Sequence, residues 1–295
     1  MAIAYTYDDK SMREDLLSVM TNLSPTETQL TSGLATGSAN QIMHEWLIDT
    51  LGSVKSNAQI EGADATYHDQ TNPTRLFNFT QILKQGFQVS DTERSINSAA
   101  FNDRYAYEAT KALKQIKNDL EYAVLRGSLA CGTGSNAARQ MRGIKNSLSL
   151  VTSQSGVSLS ESALNDLFQL VWDNGTEVNA VYGGMYMKRK ISGFTAGATK
   201  HVSIEDRRLV NAVDVYEADA AKMVKLFAHR YMTVAADTNY DLLGLNEDMF
   251  AIDYLRQPLN RELAKTGDAT KGEIVLEATL RCMHYNAGFL SNQML

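Results

Sequence analysis

Proline occurs at only three positions, Pro25, Pro73 and Pro258, and cysteine at only two, Cys131 and Cys282, in a chain of 295 residues. So little proline excludes a proline-rich linker protein. Two thiols are too few for a disulfide framework and suit a reducing compartment. Basic side chains are also scarce. The 28 Lys and Arg are outnumbered by 34 Asp and Glu, for a formal net charge of -6, which argues against a dedicated DNA-binding domain with a clustered basic surface. No apolar run approaches the roughly 18 residues that span a bilayer. The N-terminus, MAIAYTYDDKSMREDLL, carries acids where a secretory signal has its apolar stretch. What is there is 44% hydrophobic, enough for a sizeable core in one large domain or two ordinary ones. The expectation is a soluble, ordered protein made in the cytosol.

The first 40 residues are uneven. Residues 11–20, SMREDLLSVM, place Met12, Leu16, Val19 and Met20 on one helical face. TETQLTSGLATGSAN after Pro25 is small and polar, and reads as an extended arm that depends on other elements for its order. MHEWLIDTLG predicts a short helix, with Met43, Trp46, Leu47 and Leu51 together and Gly52 as its stop. Over 53–90, Phe77 and Phe79, then Phe87 and Val89, alternate with polar neighbours, and Asp69, Asn72 and Pro73 form a turn. The pattern predicts a long two-stranded hairpin, and such a ribbon is marginal alone in water. It should lean on another chain.

From Thr92 to Arg126 there is neither proline nor glycine. Ile96, Ala100, Tyr105, Ala109, Leu113, Ile116, Leu120 and Val124 make one apolar stripe. Asp91 or Thr92 would cap its start and Gly127 its end. A continuous helix here would run roughly 50 Å, against a radius of gyration of about 19 Å for a compact chain of this length, so an elongated molecule is expected. Residues 127–156 read as a loop region. Ser158 and Glu161 form a capping box before a helix that buries Leu164, Leu167, Phe168 and Val171. NAVYGG reads as a buried strand, and GMYMKRKISGF as a short helix or turn. Strands follow in RLVNAVDVYEAD, KMVKLFAHRYM, DMFAIDYLRQP and EIVLEATLRCMHYNAGFL. Helices early and strands late predict an α+β class with antiparallel sheet.

Candidate chemistry is thin. His44-Glu45 opens like a zinc-protease helix, but residue 48 is Ile and the second ligand is missing. The five histidines are scattered and read as structural. Gly132-Thr133-Gly134, with Ala137 beyond, faintly resembles a dinucleotide loop, yet it follows a helix rather than a strand. AKTGDATKGE reads as a hairpin turn around Gly267-Asp268 and Gly272. Cys131 reads as an inert thiol. The acid pairs Glu61 with Asp64 and Asp237 with Asp241 read as solvated charges. The small basic clusters, Lys188-Arg189-Lys190, Arg207-Arg208 and Arg139 with Arg142, predict weak, salt-sensitive attraction to nucleic acid at best. No catalytic residue, metal or cofactor is expected, and the chain is read as not an enzyme.

The order of elements and several segments resemble a known family. HEWLIDTL, the EGAD of the hairpin, RLFNFTQILKQGFQVSDTE, ARQMRGI, WDNG and ELAKTGDATKGEIVLEATL are similar, in register from about residue 12 to the C-terminus, to a major capsid (major head) protein family of tailed double-stranded DNA bacteriophages. That family has the Hong Kong 97 fold and was once known only as a domain of unknown function. The resemblance implies an N-terminal arm and short helix over 1–51, an extended loop (β-hairpin) over 52–90, and the peripheral domain's spine helix and following loop over 91–139. It implies an axial domain over 140–255 and returning strands of the peripheral domain over 256–295. It further implies a chain that self-assembles into hexamers and pentamers of an icosahedral or prolate head around double-stranded DNA. The partners implied are many copies of itself, a scaffolding protein, a portal and decoration proteins, with assembly in the host bacterial cytoplasm. Relatives of the wider fold carry a cleavable scaffolding segment first; this chain starts almost at the arm, which implies a separate scaffolding protein or a segment already removed. A covalent crosslinking pair is not assignable. Phe77 and Phe79 are the expected apolar inter-subunit contacts, and Glu61 and Arg75 the charged ones. Deleting residues 55–85 is expected to leave a folded chain that forms no shells. The alternatives are an encapsulin-like compartment of the same fold and an enzyme holding a nucleotide at residues 132–137.

Overall fold

The computed structural model describes residues 27–52, 54–65, 67, 72–96, 103–132, 137–153, 158–194, 202–203, 208–209, 215–218, 221–232 and 240–294. The helix expected over 11–20 lies outside them. Along the chain come helix α1 (Gln29–Gly33), strands β1 (Ala35–Ser38), β2 (Met43–Ile48), β3 (Thr74–Phe79) and β4 (Gln81–Ser90), and helices α2 (Asp91–Ser95) and α3 (Arg104–Arg126). Next are α4 (Ile144–Ser147), β5 (Leu150–Ser153), α5 (Glu161–Asp173), β6 (Ala180–Gly183) and α6 (Met185–Phe194). Strands complete the chain: β7 (Val202–Ser203), β8 (Arg208–Leu209), β9 (Val215–Ala218), β10 (Ala221–Ala228), β11 (Tyr240–Leu245), β12 (Phe250–Leu263), β13 (Ala269–Cys282) and β14 (Gly288–Met294).

Two sheets organise the molecule. One has the order β1-β12-β13-β4, the other β5-β14-β11-β6-β10-β9. Both are mixed rather than purely antiparallel as expected: β1 runs parallel to β12, β10 to β6, and β14 to β5. The six-stranded sheet carries a core on each face. Val181, Leu242 and Phe289 point into one cluster, while their chain neighbours Tyr182, Leu243 and Leu290 point into the other. This is the period-two alternation of a sheet covered on both sides. Gly244 has no room for a side chain, because a Cβ there would overlap the Phe289 ring.

From residue 27 onward the arm takes its order from other elements of its own chain. Leu30 and Leu34, one helical turn apart, are both buried in the core beside α3, and β1 adds a strand to β12 over Ala251–Tyr254. MHEWLI is a strand, not the expected helix. Met43, Trp46 and Leu47 suit a helical face, but the segment pairs with β3 across all six residues, and Trp46 Nε1 donates to the Cys282 carbonyl at 2.8 Å. Tertiary pairing overrides local pattern here. Consequently the expected hairpin over 52–90 is corrected too. Its rising strand is β2, upstream of residue 52; the described residues between β2 and β3 form no strand; and β4 pairs with β13 instead of folding back on its own loop.

The spine helix is shorter than the stripe suggested. Ser90 caps α2 by accepting from Glu93 N, the chain leaves the helix at Ile96, and Asp103 caps α3 by accepting from Tyr105 N. The 23 residues of α3 span roughly 34 Å. Gly127 ends it as expected, and Ala112, Ile116, Leu120, Ala123 and Val124 are its buried face. Ile96 is exposed and Ala100 lies outside the described residues. In α5 the cap is Ser160, accepting from Ala163 N at 3.2 Å, rather than Ser158, while Leu164, Leu167, Phe168 and Val171 are buried as expected. EIVLEATLRCMHYNAGFL divides into β13 and β14, and YDLLGL, which is not among the expected strands, is the central strand β11. The tight turn between β12 and β13 uses Gly267 at φ +107°, a conformation that favours glycine. Pro258 sits past the four β12 residues that β1 covers, where a missing N–H costs no ladder bond.

Candidate functional site

The ribbon of β2 and β3 stands on the four-stranded sheet through a buried polar foot. Asn78, 2% exposed, donates to the Leu280 and Arg142 carbonyls and accepts from the Arg142 amide. Asp253 lies between His44 Nε2 and Arg281 Nε, each 3.0 Å from its Oδ2. Glu277 accepts from Thr80 Oγ1 at 2.8 Å, Arg139 Nη2 at 2.9 Å and Arg256 Nε at 2.9 Å. Asp253 and Glu277 are almost fully buried, so each requires its partners to offset the cost of leaving water. The Arg139 and Arg142 pair, read from the sequence as a nucleic-acid candidate, is structural. Arg139 neutralises Glu277, and the Arg142 guanidinium lies 5.9 Å from the Phe77 ring centre.

The opposite face of the ribbon looks outward and is mostly apolar, with one ion pair. The register pairs Met43 with Phe79, Glu45 with Phe77 and Leu47 with Arg75. Residues directly opposite in an antiparallel pair share a face, so these six form one outward surface. Leu47 is 65% exposed, Met43 43% and Phe77 38%. Phe77 and Phe79 meet edge to face at 5.7 Å, and Arg75 reaches Glu45 at 3.4 Å. The structure therefore brings Arg75, Phe77 and Phe79 together. Glu61 is apart from them, exposed at the turn of the intervening loop. Met43, Glu45 and Leu47 escaped the sequence reading because their segment looked helical. MHEWLI shows no apolar–polar alternation, so no local signal marks them, and only the pairing with β3 places them on this face.

Between β2 and β3, the described loop residues are almost all exposed. Leu51, Val54, Ile60 and Tyr67 are all at least 84% exposed, and Ala63 N to Ile60 O at 3.1 Å is a turn bond within it. Four large apolar groups held in water on one segment are unusual for an isolated chain.

The other candidates resolve into ordinary roles. His44 and His229 face Asp253 and Glu121, and His284 Nδ1 accepts from the Asn286 amide. Among the described residues no group of three or more His, Cys, Asp or Glu forms a metal-binding cluster, and no helix is long and apolar enough to cross a membrane. Asp241 pairs with Lys145, while Asp237 lies outside the described residues. Lys190 contacts Ser158 and the Tyr186 ring. Of the Gly132 loop, residues 133–136 lie outside the described residues.

Comparison with known proteins accords with this arrangement of arm, ribbon, spine and two sheets. The sequence profile of the SU10 major capsid protein family matches residues 2–292. The major capsid protein of Escherichia phage Phieco32 is 32% identical over 123 residues, which is 41% of this chain and 35% of that protein. The match thus spans about a third of that relative's length. Among solved structures, the cyanophage A-1(L) capsid subunit superposes with a TM-score of 0.70 at 12% identity, over 96% of this chain and 97% of the other. The capsid of phage XM1 gives 0.64 at 12% identity, over 95% and 97%. The SrpI encapsulin of Synechococcus elongatus gives 0.64 at 10% identity, over 100% and 96%. Identities this low establish the fold alone, the Hong Kong 97 type of phage capsids, and the encapsulin shares it. The family profile separates the two readings. Matched over nearly its whole length, the chain belongs to the SU10 major capsid protein family.

Proposed function

We propose that this chain, a major capsid protein by family, closes a phage head by laying its extended loop and the outward face of its ribbon against a neighbouring copy. The observation that carries this is the coincidence of two incomplete surfaces. Met43, Leu47 and Phe77 stand outward on the ribbon, and Leu51, Val54, Ile60 and Tyr67 stand exposed on the loop it carries. A copy seated over them would remove apolar area from water at about 25 cal/mol per Å², and repeated modest contacts add by multivalency. In a shell one chain makes several different heterologous contacts, closing rings within hexamers and pentamers.

In this reading 1–51 is arm and first ribbon strand, 52–90 the loop with its return, 91–139 the spine region, and 140–255 the axial domain. Residues 256–295 return to the peripheral domain, although β14 lies in the six-stranded sheet. Glu61 and Arg75 are assigned as charged partners between copies, Arg75 exchanging its own-chain Glu45 for Glu61 of the neighbour. Scaffolding protein, portal and decoration proteins complete the assembly in the bacterial cytoplasm. The formal charge of -6 supports weak, non-specific contact with enclosed double-stranded DNA.

The test is electron microscopy of the full chain co-expressed with its scaffold. Leu47→Ser with Phe77→Ser costs about 2 kcal/mol, chiefly the contacts of Phe77 with Phe79 and Arg142, leaves the chain folded, and abolishes closed shells. Glu61→Arg alone blocks assembly, and adding Arg75→Glu restores it. Normal shells from the double serine variant refute the ribbon contact, and failure of the charge swap refutes the Glu61–Arg75 assignment.

A further inference from the structure

Glu121, on the inner face of α3, is fully buried, and its carboxylate is shared among three donors from two other parts of the chain. The Leu30 amide donates to Oε1 at 2.8 Å and the Thr31 amide to Oε2 at 2.8 Å. His229 Nε2, just past β10, lies 2.8 Å from Oε1. The other ring nitrogen, Nδ1, accepts from the Tyr231 amide at 3.2 Å. A ring nitrogen that accepts carries no proton, so the ring's hydrogen sits on Nε2 and His229 is a neutral donor to Glu121. A buried negative charge is thereby held by three N–H groups, two from the arm and one from the end of the six-stranded sheet's β10.

We infer that Glu121 is a positioning residue that couples seating of the N-terminal arm to the end of β10, so that loosening either one loosens the other. Without the arm the carboxylate keeps one of its three donors, and a buried charge so deprived is unfavourable. Without His229 the carboxylate is less well held, and so is the arm that depends on it. Such coupling is reciprocal by linkage. Its consequence lies close by. After β1 the chain passes Ala39, whose amide donates to the Tyr254 carbonyl at 3.1 Å, and four residues later enters β2 of the ribbon. The state of the axial sheet is thus felt where the ribbon begins. That consequence rests on the shell reading, but the coupling itself does not, and it is measurable in the unassembled chain.

The experiment is amide hydrogen exchange on the full chain, following peptides over residues 28–38, over α3 and over β13. In His229→Leu, exchange over the arm accelerates at least about tenfold, the equivalent of about 1.4 kcal/mol, while α3 and β13 retain their protection. His229→Gln loses the same ring but presents a side-chain N–H at similar reach, and holds the arm near its original protection. Glu121→Gln, which turns an NH₂ toward one set of donors, accelerates the arm as well, and supplies the same readout should His229→Leu not fold. Unchanged arm exchange in His229→Leu overturns the inference. So does equal acceleration over α3 and β13, or equal behaviour of the leucine and glutamine variants. Shell formation is scored separately, so that a failed assembly reading leaves this result intact.

Discussion

Glu121, Asp253, Glu273 and Glu277 are all at most 7% exposed, and each meets donors or cations drawn from distant parts of the sequence. Glu277 is the most heavily partnered, with Thr80, Arg139 and Arg256 converging on one carboxylate. Glu277→Ala leaves two arginines beside a cavity and destabilises the unassembled chain by about 3 kcal/mol, the lower range for a broken buried pair because both arginines keep some water. The urea midpoint of unfolding measures it. For Glu121, burial pushes the carboxyl pKa up, but hydrogen bonds from His229, Thr31 and Leu30 outweigh it and hold the group below its ordinary value of 4.5. A group depressed in the folded state contributes stability that is present above its unfolded pKa and lost as pH falls through the folded one. Stability therefore declines on acidification below about pH 4.5, and more shallowly in Glu121→Gln. Parallel urea midpoints from pH 7 to pH 3 for the two chains give the comparison.

At the scale of elements, the ribbon joins two unlike halves. Its foot is part of the folded body, since Leu76, Asn78 and Thr80 are 7%, 2% and 0% exposed. Its tip carries side chains that touch little of their own chain. Deleting 55–85 would thus remove β3 and half of β4, pull those buried residues from the core and unfold the chain. The dispensable segment is shorter. Replacing residues 52–72 by a short glycine-containing turn keeps β2 paired with β3, holds the urea midpoint near that of the intact chain, and eliminates closed shells under the microscope. A deletion variant that still builds shells removes the loop from the assembly contact. The arm behaves as the opposite kind of element. Its small, polar composition marks a segment that needs other elements for its order, and Leu30 and Leu34 supply the anchor, because two leucines one turn apart suffice when a hole in the core receives them.

For the molecule as a whole, the six-stranded sheet makes the two cores inseparable. Adjacent residues of β6, β11 and β14 point into opposite clusters, so neither core survives loss of the sheet between them. One tryptophan sits on each side: Trp46 packs against the cluster around α3, and Trp172 belongs to α5, which covers the other face. Single-tryptophan variants, Trp46→Phe and Trp172→Phe, are expected to unfold in one transition, with fluorescence and far-ultraviolet circular dichroism midpoints coincident within each variant. Separate transitions would mean that the faces unfold independently.

Local signals in the sequence reach as far as local physics does. The buried stripe of α3 and its glycine stop, the capped face of α5, the buried strand at Ala180–Gly183 and the glycine turn at Gly267 depend on residues within a few positions of one another, and all are present in the structure. Phe77, Phe79 and Arg75 also show as one strand face by simple alternation. Met43, Glu45 and Leu47 complete that face only once β2 finds β3, some thirty residues away. Local spacing there suits a helical face, and the pairing with β3 overrides it. The break of the spine before Asp103, the parallel seating of β1 on β12, and the meeting of Glu121 with Leu30, Thr31 and His229 are likewise decided by tertiary structure. Composition and short-range spacing settle which residues are apolar, where caps and turns lie, and the family to which they add up. Which segments share a sheet, which carboxylates become buried and partnered, and which apolar groups are left outward follow only from contacts between distant residues, whose energies no local window contains.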